Sequence, residues 1–449
     1  MAHPNELEAL YAFLTAAAVT AVLTPLTMRL ARAVGAIDEP RERGLSERPT
    51  PLLGGLAIFA GALVAILVWL PAGYYKDHQL WGGVLLAAAV ITLVGALDDR
   101  FELPPGAKLA GQVLAASIVV HFGVAVKSIT LPFIGLLHFP NAGVTNAGPL
   151  LTVLGLVVMM NVVNFSDGVD GLTAGVCAII AAAMAVIAFD LGRQQPGVLA
   201  ALTAGAAVGF LIYNFPPAKS FMGDCGANLL GLLMGVTAVE AAVKTAAVVS
   251  FVLPLILLAV PFLDTTFVVL KRLKYKQPIY RPDSEHFHHR MARIGFSSRR
   301  TIAYLYVWTL LLAGLALALR FIPYSDHKGH LDFGWTMVLV ALGAIVVAAS
   351  IYLVYVLEIL KFRRLDAVRL RLLRPEASPA EIELDVTKDL ETGEFQAVSG
   401  PGDRDVQVRG GTGPGRAEDR VGQRQVNEDR VRAEEERGGP QAPVAADGR

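Results

Sequence analysis

Carboxylates gather at four places in this sequence where an apolar run meets a loop. Asp98 and Asp99 close one run in LVGALDDRFELPPGAK, Asp167 and Asp170 follow another in NVVNFSDGVDGLTAG, and Asp224 opens a third in SFMGDCGANLLG. Asp264 lies near the end of a fourth, in VPFLDTTF. Carboxylates at membrane depth are costly and are usually placed for a substrate, an ion or a partner. Asn161, Asn164, Asp167 and Asp170 are spaced by threes, so a helical continuation sets them on one face. Gly168 and Gly171 let backbone approach a ligand closely. In FMGDCG two glycines bracket Asp224 just before a helix. There, backbone N–H groups meet phosphate and a carboxylate can hold a metal. Oxygen donors without a cysteine cluster point to Mg²⁺ or Mn²⁺ rather than zinc.

The opposite charge lies further along. RPDSEHFHHRMARIGF holds His286, His288, His289 and Arg290 in a strongly basic setting. Such a histidine cluster fits a zinc site, a pH sensor or a phosphate clamp. The surrounding Lys and Arg disfavour a divalent cation at these imidazoles and favour a polyanion. Metal-binding carboxylates facing a basic phosphate-binding loop are the layout of phosphoryl transfer, where catalysis is mostly positioning and charge neutralisation.

These residues need elements to hold them, and the composition says what kind. The 449 residues are 54% hydrophobic and 17% charged, with mean hydropathy +0.51, which is the composition of an all-α polytopic membrane protein. Zero net charge carries no nucleic-acid signal. Apolar stretches long enough to cross a bilayer number about eleven. They fall at roughly 10–30, 52–71, 80–97, 107–123, 148–165, 172–190, 197–214, 225–242, 245–270, 301–322 and 334–360. The first has Glu6 and Glu8 before it and no basic leader, unlike a cleavable signal.

Lys and Arg set the orientation. Arg32, Arg41, Arg43 and Arg48 follow the first stretch, and nine Lys and Arg residues between Lys271 and Arg300 follow the ninth. The alternate loops carry only Lys76, Lys127, Arg193, Lys244, and Arg320 with Lys328. The expected topology therefore has the N-terminus outside, the C-terminus cytoplasmic and the acidic clusters at the cytoplasmic face. Val124 to Val144 reads as a small extracytoplasmic hairpin. Residues 1–360 form the transmembrane domain, 361–374 a basic amphipathic extension able to lie on anionic headgroups, and 375–449 a disordered cytoplasmic tail. Cys177 and Cys225 lack pairing or metal spacing and read as small apolar residues. Runs of small residues in several helices permit a homodimer without requiring one.

Five ordered motifs, PTPLLGGLAIF, LDDRF, NVVNFSDGVDGL, FMGDCGANLLG and EHFHHRMARIGFS, resemble the polyprenyl-phosphate N-acetylhexosamine-1-phosphate transferases of the glycosyltransferase 4 family, over roughly residues 10–320. The resemblance implies about ten or eleven transmembrane helices, a cytoplasmic active site in the plasma membrane, Mg²⁺, and release of UMP. The histidine loop separates branches. The peptidoglycan branch, which transfers phospho-MurNAc-pentapeptide, typically reads Pro-Ile-His-His-His-Phe there. This chain, with Glu285-His286-Phe287-His288-His289-Arg290, is similar to the GlcNAc-1-phosphate branch acting on undecaprenyl or decaprenyl phosphate. By position, the resemblance implies Asp224 as Mg²⁺ ligand, with His288 beside Asp98, Asp99 and Asp224 among the catalytic residues. For the Asp98–Asp99 pair it leaves three roles: deprotonating the polyprenyl phosphate, orienting it, or assisting the metal. Lys108 is implied to meet phosphate. Asn164, Asp167 and Asp170 match the nucleotide-binding segment, Asn161 joins them as a candidate substrate contact by its spacing, Asn214 assists there, and Phe221 stacks on uracil. His286, His288, His289 and Arg290 match the loop over the sugar nucleotide. Three departures stand out: Ala227 where Ser is usual, Ser46 where many relatives carry His, and Leu52 where they carry Arg.

Two further classes compete. An ion transporter would carry its carboxylates near the bilayer midplane on paired broken helices, and no such repeat is visible. A non-catalytic scaffold of the same family would have no need to keep Asp98, Asp99, Asp224 and His288.

Overall fold

The computed structural model describes residues 6–39, 49–69, 78–126, 128–131, 135–138, 147–242, 259, 297–324 and 332–356. Asp264, the ninth expected span, the histidine loop, the amphipathic extension and the tail lie outside them. The described residues form ten α-helices: α1 (Glu6–Val34), α2 (Gly54–Trp69), α3 (His78–Phe101), α4 (Pro105–His121), α5 (Ala147–Ser166), α6 (Leu172–Asp190), α7 (Gln194–Asn214), α8 (Gly223–Ala242), α9 (Ser298–Phe321) and α10 (Phe333–Val356). Seven of them, α1, α3, α5, α6, α7, α9 and α10, are long and apolar enough to cross a membrane. The protein is thus a polytopic, helical membrane protein, and each helix coincides with an expected apolar stretch to within a few residues.

Two short antiparallel pairs accompany the helices. Strands β3 (Ser128–Leu131) and β4 (Gly135–His138) pair within the expected hairpin. Strands β1 (Ile37–Asp38) and β2 (Thr50–Pro51) pair as well, and periodicity did not announce them, because two residues a side carry no pattern.

Helices α7 and α8 form the middle of the bundle. Leu229, Leu230, Leu232, Leu233 and Val236 on α8 are fully buried, as are Val198, Leu199, Leu202 and Phe210 on α7, so both helices are apolar all round. Helix α8 is surrounded by α2, α3, α5 and α7, while α7 also packs on α1 and α6. Beyond α6 lies α9, and beyond α9 lies α10. Without a hydrophobic force between helices in lipid, close packing carries the association, and small residues make it close. Helix α1 shows this plainly: Ala9, Ala12, Ala16, Thr20 and Thr24 form its buried stripe. A Cβ on Gly205 or Gly209 of α7 would sit 2.1 or 2.2 Å from the carbonyl oxygens of Phe13 and Ala17 on α1.

The topology brings one set of helix ends together. The C-termini of α1, α3, α5 and α7 and the N-termini of α2, α4, α6, α8 and α9 alternate along the chain. Every acidic cluster in the described residues falls among them. Gly209→Leu should force α1 and α7 apart at the cost of overpacking, about 1–3 kcal/mol or more. A lowered unfolding temperature in detergent is the expected outcome, and an unchanged one would show that this close approach is dispensable.

Candidate active site

Three carboxylates meet where α3 ends and α8 begins. Ligand oxygens of Asp98, Asp99 and Asp224 lie within 4.8 Å of one another. Such proximity of like charge needs compensation, and two sources supply it. The Lys108 ammonium on the first turn of α4 bridges Asp98 Oδ2 at 2.5 Å and Asp224 Oδ2 at 3.1 Å. The start of α8 supplies the second. The Asp224 N–H donates to Asp99 Oδ1 at 2.7 Å and the Cys225 N–H to Asp99 Oδ2 at 3.3 Å. Asp99 therefore caps α8 from another helix, satisfying N–H groups that lack intrahelical partners at the positive end of the helix dipole. Asp98 also accepts from the Leu103 N–H at 2.8 Å, which fixes the turn between α3 and α4.

This contact requires bare backbone. Gly223 has φ +67°, and a Cβ there would lie 2.2 Å from Asp99 Oδ2. On α3, a Cβ at Gly95 would come within 2.4 Å of the Cys225 backbone, and on α2 one at Gly55 within 2.1 Å of the Gly226 nitrogen. The PTPLLGG segment closes over FMGD through its main chain. Phe221 N–H donates to Pro51 O at 3.0 Å, Gly54 N–H to Phe221 O at 3.0 Å and Gly55 N–H to Met222 O at 2.9 Å.

Helix α5 and the loop after it complete the cluster. Asn164 reaches the Asp224 carboxylate, and the Asp167 N–H closes a turn onto the Asn164 carbonyl at 3.0 Å. Asp170 Oδ2 accepts from the Ala218 N–H at 2.9 Å. Asn214 is buried and spent on structure: its Oδ1 accepts from the Gly171 N–H at 2.9 Å and its amide donates to Ser220 O at 3.0 Å. Asn161 likewise donates to Gln112 Oε1 and Val157 O, both at 2.8 Å. The candidate substrate contacts thus divide. Lys108, Asn161, Asn164, Asp167, Asp170 and Phe221 are all partly exposed, whereas Asn214 is buried. His286, His288, His289 and Arg290 lie outside the described residues.

Several participants carry no motif of their own. Tyr306 of α9 donates its hydroxyl to Gly171 O at 2.5 Å, and Arg299 Nε donates to Pro216 O at 3.3 Å, so α9 is tied to both loops of the site. Gln112 stands outside every motif and Asn228 inside FMGDCGANLLG without a role of its own, although each stands four residues after a named residue, Lys108 and Asp224. Both expected apolar cysteines are buried, and Cys225 donates to Met222 O. Ala227 is fully buried, where a hydroxyl would find no water.

The donor set suits a hard cation. It is all oxygen, it has no thiolate or imidazole among the described residues, and a cation, the Lys108 ammonium, already sits between two of its members. Chemically, the arrangement can gather charged phosphates: a partly exposed ammonium, carboxylates able to share a metal, and a helix N-terminus stand side by side.

The sequence model of glycosyl transferase family 4 matches residues 81–242, which include Asp98, Asp99, Lys108, Asp167, Asp170, Phe221 and Asp224. The chain is similar to the probable undecaprenyl-phosphate N-acetylglucosaminyl 1-phosphate transferase of Bacillus subtilis, 33% identical over 315 residues, covering 69% of this chain and 84% of that protein. It is similar to the decaprenyl-phosphate N-acetylglucosaminephosphotransferase of Mycobacterium tuberculosis, 35% identical over 371 residues, covering 77% and 88%. The undecaprenyl-phosphate alpha-N-acetylglucosaminyl 1-phosphate transferase of Salmonella typhi is 27% identical over 307 residues, covering 67% and 81%.

In the loop after α5, burial pushes the Asp167 carboxyl up from 3.8 to about 7; the Thr173 hydroxyl opposes this, and the carboxylates of Asp224, Asp99 and Asp170 add to the rise. The folded protein then holds a proton that the unfolded chain has released, so stability is lost as pH rises from 3.8 to about 7. Asp167→Asn removes that loss. Its unfolding temperature in detergent should gain on the parent's steadily across this window and run parallel above it. A constant difference at every pH would place the Asp167 titration elsewhere.

Proposed function

The chain belongs to glycosyl transferase family 4, in its branch of polyprenyl-phosphate N-acetylglucosamine-1-phosphate transferases, and from that premise we propose how its site works. It transfers GlcNAc-1-phosphate from UDP-GlcNAc to a polyprenyl phosphate and releases UMP, which starts a lipid-linked cell-wall polysaccharide. An oxygen of the acceptor phosphate attacks the phosphorus that bears the sugar. The bond from that phosphorus to the bridging diphosphate oxygen breaks, and the electron pair leaves on UMP. A new diphosphate joins sugar and lipid.

One observation carries this reading: Lys108 bridges Asp98 and Asp224 at the mouth of a membrane bundle, beside Asn164, Asp167 and Asp170. A transferred phosphoryl group needs little covalent help and much charge neutralisation. Lys108 is a cation with a partly exposed side chain, suited to pass from the carboxylates to an incoming phosphate. Asp224, with Asp98 and Asp99 beside it, is the reading's holder of Mg²⁺, which when bound neutralises the diphosphate. Asp99 contributes mainly by fixing the α8 N-terminus, since both its oxygens accept from that backbone. Asp98 keeps closer contact with Lys108 and suits the acceptor phosphate. A phosphate monoester is already mostly ionised at pH 7, so orientation is a larger task than deprotonation. The half-exposed Phe221 ring suits a uracil, and His286, His288, His289 and Arg290 supply charge over the sugar nucleotide. The basic loops support eleven spans in the plasma membrane, the N-terminus outside and this site facing the cytoplasm, where UDP-sugars are made.

The test is a membrane assay with labelled UDP-GlcNAc, labelled UDP-MurNAc-pentapeptide and polyprenyl phosphate. Lipid-linked label and UMP from the first donor alone are expected; label from the second alone would overturn the donor assignment. Asp224→Asn should abolish Mg²⁺-dependent turnover, and near-normal activity would remove it as the metal ligand. Asp99→Asn leaves one oxygen acceptor for two N–H groups. It should lower turnover while the protein still accumulates folded in the membrane, and unimpaired turnover would end its role in the site.

A further inference from the structure

Beneath the carboxylates runs a chain of amides that the transfer reaction does not touch. Asn228 Nδ2 donates to the Asp224 carbonyl at 2.8 Å, Gln112 Nε2 to Asn228 Oδ1 at 2.8 Å, and Asn161 Nδ2 to Gln112 Oε1 at 2.8 Å. The same Asn161 amide donates to Val157 O at 2.8 Å. Gln112 and Asn228 are 4% and 5% exposed. Amides so deeply buried are tolerated only when bonded, and these are bonded to one another.

The register of this chain is informative. Gln112 follows Lys108 by one turn on α4, Asn228 follows Asp224 by one turn on α8, and Asn161 precedes Asn164 by nearly one turn on α5. The relay therefore repeats three of the site's helices, α4, α5 and α8, one layer deeper. Its direction is determined as well. Both ends are backbone carbonyls, which only accept, so Asn228 must turn its NH₂ toward Asp224 and its oxygen toward Gln112. Gln112 must then turn its oxygen toward Asn161, whose two amide hydrogens serve Gln112 and Val157 together. No amide can flip without orphaning a buried group.

We infer that Gln112 and Asn228, with Asn161 as anchor, are positioning residues that lock α4, α5 and α8 in register and so hold Asp224 against Lys108. The inference rests on the reading of Asp224 as metal ligand. Groups behind a metal ligand typically change affinity or rate when removed, without touching substrate.

The test uses the full chain in detergent with two readouts: turnover of UDP-GlcNAc and polyprenyl phosphate, and the unfolding temperature titrated with Mg²⁺. Gln112→Met and Asn228→Leu should each lower kcat about tenfold and raise half-saturating Mg²⁺ roughly threefold or more, with KM for UDP-GlcNAc within about twofold of the parent. The double variant should be no worse than the weaker single, because one relay is broken once. Multiplying losses, an unchanged kcat with unchanged Mg²⁺ titration, or a raised KM with unchanged kcat would each overturn the proposal. Should Asn228→Leu not accumulate, Asn228→Ala removes the donor to the Asp224 carbonyl without adding a charge and carries the same expectation. If the parent binds Mg²⁺ but turns over no UDP-GlcNAc, the donor reading falls, and the Mg²⁺ titration of the variants alone decides the relay. A parent whose unfolding temperature ignores Mg²⁺ overturns the relay as a metal-positioning device.

Discussion

Bringing three carboxylates within 4.8 Å of one another is the constraint on which the rest of this bundle depends. Left alone, like charges at that distance in a poorly solvated site repel strongly. The protein answers with one ammonium and one helix N-terminus, and each answer dictates architecture. Lys108 reaches Asp98 and Asp224 only because the turn 102–104 folds α4 back beside α3, with the Leu103 N–H tied to Asp98. Asp99 reaches the α8 backbone only because Gly95 and Gly223 present no Cβ at the crossing. The glycines of FMGD and of LVGALDD are thus parts of one contact.

The same requirement explains why α8 sits at the centre. A helix whose N-terminus serves as counter-charge must hold its position against several neighbours, and α8 does so with a largely apolar body and a polar start. Helix α2 presses its glycine-rich start onto that turn through backbone hydrogen bonds, and α4 and α5 meet it through the buried amides. Helix α9, which emerges after the basic histidine segment, is joined to the other side of the site by Tyr306 and Arg299. Rigid elements thereby converge on the carboxylates, which suits a reaction in which positioning supplies most of the rate.

Much of this was legible in the sequence, and what was hidden has a common cause. Apolar length marked the helices well; the stretch 172–190 coincides with α6 residue for residue. The acidic clusters at the ends of these stretches drew attention for a sound reason, the cost of charge near lipid. Partner choice could not be read. Asp99 and Asp224 are 125 residues apart, and nothing local says that a carboxylate on one helix will cap another. Asn161 looked like one member of a periodic polar face, yet its amide turns inward to Gln112. Asn214, a candidate binding residue, fastens Gly171 to Ser220, and no local pattern announces that. Spacing reports which face a residue occupies; it does not report what the neighbouring helix presents there.

That distinction also bears on two of the three departures from the family pattern; Ser46 lies outside the described residues. Leu52 stands where relatives carry Arg, and the segment around it joins the site through main-chain bonds of Pro51, Gly54 and Gly55 that do not use the side chain at 52. Ala227 lacks a hydroxyl at a position with no exposure, against the apolar core of α8, while the polar duty nearby falls to Asn228 one residue later. A contact made by backbone tolerates substitution of its side chains, whereas one made by a side chain does not. The FMGD clasp belongs to the first kind. The Lys108 bridge and the amide relay belong to the second, and they are where the site's geometry is most exposed to change.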